Sequence, residues 1–321
     1  MKNKGIYGFL IALSVVLLVI IIAEFLSTRP DKQQANPYNL ETDHFYSVDQ
    51  EMISYREFRQ LKLSLGKPAG ISGSNGMLVV VGDQKLVALT YQGSLLFEKR
   101  LDMSPLCVKY TKDKIYIGGE KQLLALDSTG SFLFEFTGLY DNSVITSIDV
   151  HQDRIFVADA GKRLVYRFTG EGAKDLEISG KGEQGSEHGF VVPSPAFDLG
   201  FNDAGELWIG NPGKHTLENY SAGGELRGWW TAPESGIGSF SGCCNPAHIA
   251  FLPGGNFITS EKRIVRVKEY LPSGEMTGVV APPSAFGDET DAPDVYCDES
   301  GRVYLLDAGK KMIRVFEKTT Q

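Results

Sequence analysis

The stretch SGCCNPAHIAF, residues 241 to 251, places Cys243 and Cys244 side by side, with His248 four residues on. Thiolates and imidazoles are nucleophiles and metal ligands. Adjacent Cα atoms lie about 3.8 Å apart, below the roughly 4.4–6.8 Å usual for a disulfide. A Cys243–Cys244 bond is therefore strained, and strained disulfides are the reducible ones. The residues leave three readings open: a structural or strained disulfide, two inert loop thiols, or a redox-active or metal-binding pair. Cys107 in PLCVKY and Cys297 in DVYCDE stand in surroundings that suit buried structural thiols.

His248 has counterparts. PAHIAFL, PAFDLGF and APDVYC are alike, and Asp198 and Asp294 stand in them where His248 stands. One imidazole and two carboxylates could hold a divalent cation, zinc or calcium. The alternative is that all three hydrogen-bond backbone groups and solvent. The corresponding positions earlier in the chain are Ala69, Leu106 and Thr146, so half of such a ring cannot ligate. His188, in GSEHGF, reads as a solvated loop histidine. No Gly-x-Ser-x-Gly elbow, HExxH motif or GxxxxGK[ST] phosphate loop is present. Trp229 and Trp230, in GWW, are either wedged between sheets or a ligand- or partner-binding anchor.

These side chains need a frame, and the chain repeats itself to make one. MLVVVGDQKLVALTYQGSLLFE, RIFVADAGKRLVYRFTGEGAKDLEI and RVYLLDAGKKMIRVFEK are three of six such units. Each has an apolar strand, a short turn and a second strand; all but the last add a glycine turn and a third strand. Asp83, Glu120, Asp159, Asn211, Glu261 and Asp307 mark equivalent turns, spaced by 37, 39, 52, 50 and 46 residues. The recurring acid is read as a turn residue bonding its own backbone. A further strand precedes each unit. Periods of this size with several short strands predict an all-β, six-bladed propeller with four antiparallel strands per blade. The last unit lacks its outer strand. LKLSL, where Leu61, Leu63 and Leu65 alternate with polar residues, is expected to supply that strand from the N-terminal side and close the ring.

VADAGKRLVYRF and LLDAGKKMIRVF resemble the NHL repeat family, as does the connection GKGEQGSEHGFVVPSPAFDLGF. The resemblance spans roughly residues 58 to 321. It implies a six-bladed propeller and no single function, because that fold hosts binding scaffolds, lyases and lactonases. Metal-dependent lyases and lactonases of similar fold place their ligands around the channel rim. The resemblance thus implies that Asp198, His248 and Asp294 could form a metal or ligand site there.

Ahead of the repeats, Ile6 to Leu26 is a run of 21 residues whose single charge is Glu24. As a helix it spans about 30 Å, the hydrocarbon thickness of a bilayer. The run is longer than a signal-peptide core and lacks a small-residue cleavage pattern. Lys2 and Lys4 precede it, which favours a cytoplasmic leading end. The expected organisation is a membrane anchor over residues 1–28 (transmembrane helix 6–26), a polar stalk over 29–57, and a propeller over 58–321 on the extracytoplasmic, periplasmic side. Without residues 1–30 the chain carries 29 basic against 39 acidic residues, a balance that repels polyanions and argues against nucleic acid as a partner. The expected role is a binding scaffold for a protein partner or small molecule at the face bearing His248, acting as an accessory subunit of a membrane complex. The alternative is a metal-dependent lyase or hydrolase at the channel mouth.

Overall fold

A computed structural model describes residues 4–27, 46–111, 113–182, 189–232, 236–242, 244–287 and 291–319. Side chains alternate across a strand. In this chain both faces of most strands are covered, so Leu78 to Val81, four consecutive apolar residues, are all fully buried. Such strands cannot lie at a solvent-facing sheet. They must stack face to face, which is how propeller blades pack.

Six four-stranded antiparallel sheets result. The chain enters through β1 (Tyr55–Lys62). Blade one comprises β2 (Pro68–Ser74), β3 (Met77–Gly82), β4 (Lys85–Thr90) and β5 (Leu95–Arg100). Blade two comprises β6 (Pro105–Tyr110), β7 (Lys114–Gly119), β8 (Leu123–Asp127) and β9 (Phe132–Glu135). Blade three follows with β10 (Ile145–His151), β11 (Arg154–Asp159), β12 (Leu164–Thr169) and β13 (Lys174–Ile178). Blade four holds β14 (Leu199–Phe201), β15 (Leu207–Asn211), β16 (Thr216–Tyr220) and β17 (Leu226–Thr231). Blade five holds β18 (His248–Phe251), β19 (Phe257–Glu261), β20 (Arg266–Tyr270) and β21 (Met276–Ala281). Blade six has β22 (Asp294–Cys297), β23 (Val303–Asp307) and β24 (Met312–Lys318), and β1 is its outer strand.

Closure thus runs through β1 and β24, but from further upstream than the LKLSL pattern suggests. Pairing extends from Tyr55↔Lys318 to Leu61↔Ile313 and Lys62↔Met312. Leu63 adds one backbone bond to Lys311, and Leu65 is buried without belonging to the strand. The reason is distance. Residues 63 to 67 must carry the chain from the rim of blade six to the inner strand of blade one. The segment YREFRQLK can pair although it is polar, because its charges meet partners: Arg314 donates to Glu57, and Arg56 to Glu317.

The recurring turn acid does more than shape its own turn. Asp159 Oδ1 accepts from Lys162 N at 3.0 Å and from Val144 N at 2.9 Å, in the connection leading into the same blade. Asn211 accepts in the same way from Val191 N, and Asp83 from Lys67 N. In blades three to six this residue also meets the side chain seven positions on, across the hairpin. The pairs are Asp159–Tyr166 at 2.7 Å, Asn211–Glu218 at 2.8 Å, Glu261–Lys268 at 2.5 Å and Asp307–Arg314 at 3.5 Å.

Blade five carries the most heavily charged version. Glu261, Arg266 and Lys268 are each 0% exposed. Arg266 donates to Ser239 O and Lys268 to Ser239 O and Ile237 O, while Tyr270 Oη donates to Gly238 O. Residues 237–239 of the long connection are thereby held down by three side chains of β20. Burial pulls Lys268 down to about 8, against the pull of Glu261 in the other direction.

The N-terminal unit is separate from the propeller by contact. Its described residues form one helix, α1 (Lys4–Ser27), in which Gly5–Phe25 is long and apolar enough to cross a membrane.

Candidate functional site

The start of each inner strand sits at the same end of the blade as the turn between its second and third strands. His248 pairs with Ser260, next to the last residue of β19, and Asp294 pairs with Leu306, next to the last residue of β23. Gly210 N donates to Asp198 O in the same relation. Asp198, His248 and Asp294 therefore occupy one level of the ring, in three consecutive blades.

The other three members of that level differ from expectation by one residue each. Bulges lie between Pro68 and Gly70, Pro105 and Cys107, and Ile145 and Ser147. A bulge inserts one residue and advances the register by one. The ring is thus Gly70, Cys107, Ser147, Asp198, His248 and Asp294, not Ala69, Leu106 and Thr146 in its first half. Gly70 stands where inner strands approach most closely: a Cβ there would lie 2.9 Å from Cys107 Cα.

These residues stitch blade to blade. Asp198 Oδ1 accepts from Leu199 N at 2.8 Å, and its Oδ2 accepts from Ile249 N in blade five at 2.7 Å. Asp294 repeats the arrangement, taking Val295 N at 2.9 Å and Ile71 N of blade one at 2.8 Å. Ser147 Oγ donates to Leu199 O, and Cys107 Sγ to Ile145 O at 3.6 Å. His248 spans the remaining gap. Its Nδ1 lies 3.5 Å from Asp294 Oδ1 and 3.8 Å from Asp198 Oδ2. One layer deeper, Asp149 accepts from Phe201 N at 2.8 Å and pairs with Lys109 Nζ at 2.6 Å.

A cavity of about 180 Å³ opens along the axis, lined by Asp198, Asp294, Cys107, Ser147, Asp149 and Lys109 among others. Burial raises Asp198 to about 6, with the His248 charge opposing and the Asp294 charge adding to the rise. Burial raises Asp294 as well, against the opposing pull of His248. Burial also pushes the Cys107 thiol well up, with Asp294 adding to it, so this ring member is a poor nucleophile.

Do these residues fit a metal? Among the described residues no group of three or more His, Cys, Asp or Glu is arranged to hold one. Each oxygen of both carboxylates already accepts a backbone N–H. Each oxygen keeps a further acceptor position, so these bonds alone do not decide the question. The zinc or calcium reading of Asp198, His248 and Asp294 finds no metal-holding group among the described residues.

The remaining expected residues are dispersed. Trp230 is 8% exposed and packs among Phe240, Phe257 and Tyr270, behind the strand that begins at His248. Trp229 is 61% exposed on β17, the outermost strand of blade four, three strands from the channel. Cys244 is buried in the connection before β18, whereas Cys243, and with it the question of the adjacent pair, lies outside the described residues. His188 lies outside them too. Cys297 is half-buried three residues along β22 from the ring member Asp294. Sequence reasoning missed the Glu261–Arg266–Lys268 cluster. Its signal was RVKEY, which places charges in a strand that the repeat requires to be covered on both faces.

No family model and no curated protein sequence matches the chain. Solved structures do. The chain is similar to a streptogramin B lyase, at a TM-score of 0.61 and 13% identity over 83% of this chain and 98% of that one. It is similar to virginiamycin B lyase from Staphylococcus aureus, at a TM-score of 0.56 and 13% identity over 83% and 89% of the two chains. The WD40 β-propeller domain of Doa1 matches at 0.56 and 12% identity, over 79% of each chain. At such identities the likeness establishes the fold: this chain is a β-propeller of six four-stranded blades preceded by an apolar helix.

Proposed function

We propose that this protein is a membrane-anchored, extracytoplasmic propeller of NHL type whose work is binding. It engages a protein partner or a small molecule at the channel mouth bearing Asp198, His248 and Asp294, as an accessory subunit of a membrane complex. One observation carries the reading. Two carboxylates, Asp198 and Asp294, line a cavity on the axis, and His248 from the blade between them lies 3.8 and 3.5 Å from the two. The helix Gly5–Phe25 supports the anchor, and Lys4 at its leading end supports the cytoplasmic placement of that end. The test is affinity purification of the full chain from detergent-solubilised membranes, compared with His248→Ala. Loss of a stoichiometric companion from the variant supports the reading; identical companions with both chains count against it. Protease protection of the propeller in right-side-out and inverted vesicles checks the side.

A second reading has its own observation. His248 beside a carboxylate whose proton affinity lies near neutrality is a proton-transfer pair, and one structure similar to this chain is a virginiamycin B lyase in which replacing a histidine by alanine is described as inactivating. On that reading the chain is a lyase or hydrolase acting at the channel mouth. Turnover of an offered ester or lactone, abolished by His248→Ala, would favour it.

A further inference from the structure

The outer strands of the blades share one irregularity whose occupant changes around the ring. In each, pairing with the third strand skips a residue: Phe58 in β1, Leu96 in β5, Leu133 in β9, Asp175 in β13, Arg227 in β17 and Thr277 in β21. A bulged residue is unpaired and re-aimed, and five of these six are exposed. Blades three to five put a polar residue there, which suits water. Blades one and two put a leucine there, and each leucine follows another exposed apolar residue. Leu95 and Leu96 are 62% and 50% exposed, Phe132 and Leu133 63% and 43%. These four are half of the exposed large apolar side chains outside α1 among the described residues, and they stand in two adjacent blades.

The patch is continuous with the point where the chain joins the propeller. β1, β5 and β9 are the outer strands of blades six, one and two, which follow one another around the ring. The turn before β9 rests on β5: a Cβ on Gly130 would lie 3.0 Å from Phe97 Cε2. The turn before β5 rests on β1, where a Cβ on Gly93 would lie 2.8 Å from Leu61 Cδ2. Tyr55 opens β1 opposite the end of β24, as Leu95 opens β5 opposite Leu89 near the end of β4. The bulge of β1 is apolar too, but Arg59 and Arg302 lie over the Phe58 ring at 5.3 and 5.2 Å. Charge also sets this arc apart. β1, β5 and β9 carry five basic residues against three acidic ones, while β13, β17 and β21 carry two of each. The chain beyond residue 30 is acidic overall.

Resting on the membrane-anchored reading above, we propose that this arc of blades six, one and two lies against the bilayer surface. Leu95, Leu96, Phe132 and Leu133 enter the interface, and the basic residues of β1 and β5 meet anionic headgroups. Three observations favour lipid over another protein as the occupant. Ser27 ends α1 and Tyr55 opens β1, so residues 28 to 54 are all that separate a helix fit to cross a membrane from the arc. Such a connection makes the contact intramolecular. Four side chains fall far short of the roughly 20–30 residues a side of a standard protein interface, whereas a surface already tethered needs only a few inserted groups. An apolar centre flanked by lysine and arginine is the pattern that interfacial membrane contacts use. Because the arc is on the rim, three strands from the channel, the contact leaves the mouth bearing His248 uncovered.

The experiment uses the full chain reconstituted into vesicles of phosphatidylcholine and phosphatidylglycerol. The photo-crosslinking residue p-benzoylphenylalanine is placed singly at Leu96, Leu133, Asp175, Arg227 or Leu17. The first four are exposed bulges, so the probe disturbs no core, and Asp175 and Arg227 are the equivalent positions outside the arc. Leu17 lies within α1. Mass spectrometry after illumination measures lipid adducts. Adducts at 96 and 133 are expected to exceed those at 175 and 227 by about fivefold or more, with strong labelling at 17. Equal yields at the four bulges, with lipid still taken up at 17, overturn the proposal and leave the anchor standing. Covalent dimers from 96 and 133 in place of lipid adducts assign the patch to a second copy of the chain and overturn it as well. No lipid adduct at 17 removes the anchored reading and this inference with it.

Discussion

His248 in blade five and Asp294 in blade six face each other at 3.5 Å across the channel rim, and the far oxygen of Asp294 accepts from Ile71 of blade one. A single carboxylate thus touches three blades, including the two ends of the repeat array. The same group that shapes the mouth also holds the ring.

It follows that Asp294 contributes to stability as well as to the site. Asp294→Ala leaves Ile71 N and Val295 N without their acceptor and is expected to cost about 1–3 kcal/mol. Asp294→Asn, which keeps one acceptor oxygen, should lose less. Urea denaturation of the propeller gives the order directly, and equal midpoints for wild type and Asp294→Ala would refute the seam role.

Asp198 gives a signature in pH. Its folded-state proton affinity is raised to about 6 from an ordinary 3.8, so between those values the native state binds more protons than the unfolded chain. Stability from this group is fully present below the lower value and is lost as pH rises through about 6. Asp198→Asn is expected to flatten the pH–stability curve over that window. A slope unchanged by the substitution would show that the carboxyl is not held as described.

The buried cluster of blade five predicts an asymmetry. Glu261→Gln strands Arg266 and Lys268, both 0% exposed, and should cost about 3–5 kcal/mol. Lys268→Met leaves Glu261 with Arg266 and should cost distinctly less. Thermal melts of the two variants rank them; the reverse order contradicts the assignment of Glu261 as the shared counter-ion.

Removing β1 tests closure. A chain starting at residue 46 retains Tyr55–Lys62 and is expected to unfold in one cooperative transition. A chain starting at residue 63 exposes the edge of β24 and should aggregate or melt without cooperativity. Equal cooperativity in the two would mean that the sixth blade stands on three strands.

The two tryptophans should separate cleanly. Trp230→Ala empties a site packed by Phe240, Phe257 and Tyr270 and should cost about 3–5 kcal/mol. Trp229→Ala, at a 61% exposed position, should stay within about 0.5 kcal/mol of wild type. Denaturation followed by circular dichroism decides.

How much of this was legible beforehand? The blades were, because strand, turn and strand recur often enough for periodicity to speak. Asp198, His248 and Asp294 were placed together correctly because blades four to six lack bulges at that point. Ser147 and Cys107 were misassigned because a bulge leaves no mark in residue spacing; it appears only when two strands are paired. Closure by an N-terminal strand was legible, but its start was not. The alternation in LKLSL reflects burial of Leu61 and Leu65, whereas the pairing of YREFRQLK depends on ion pairs with residues more than 250 positions away. The tethering of the loop over blade five was hidden for the same reason. Partners distant in sequence leave no local pattern.

Blade six is built from the earliest and latest parts of the propeller, β1 and β22–β24. During synthesis Tyr55–Lys62 emerges long before Met312–Lys318 exists to receive it. The polar, ion-pairing character of that first strand lets it wait in water, unclaimed by its neighbours, until the final strand leaves the ribosome.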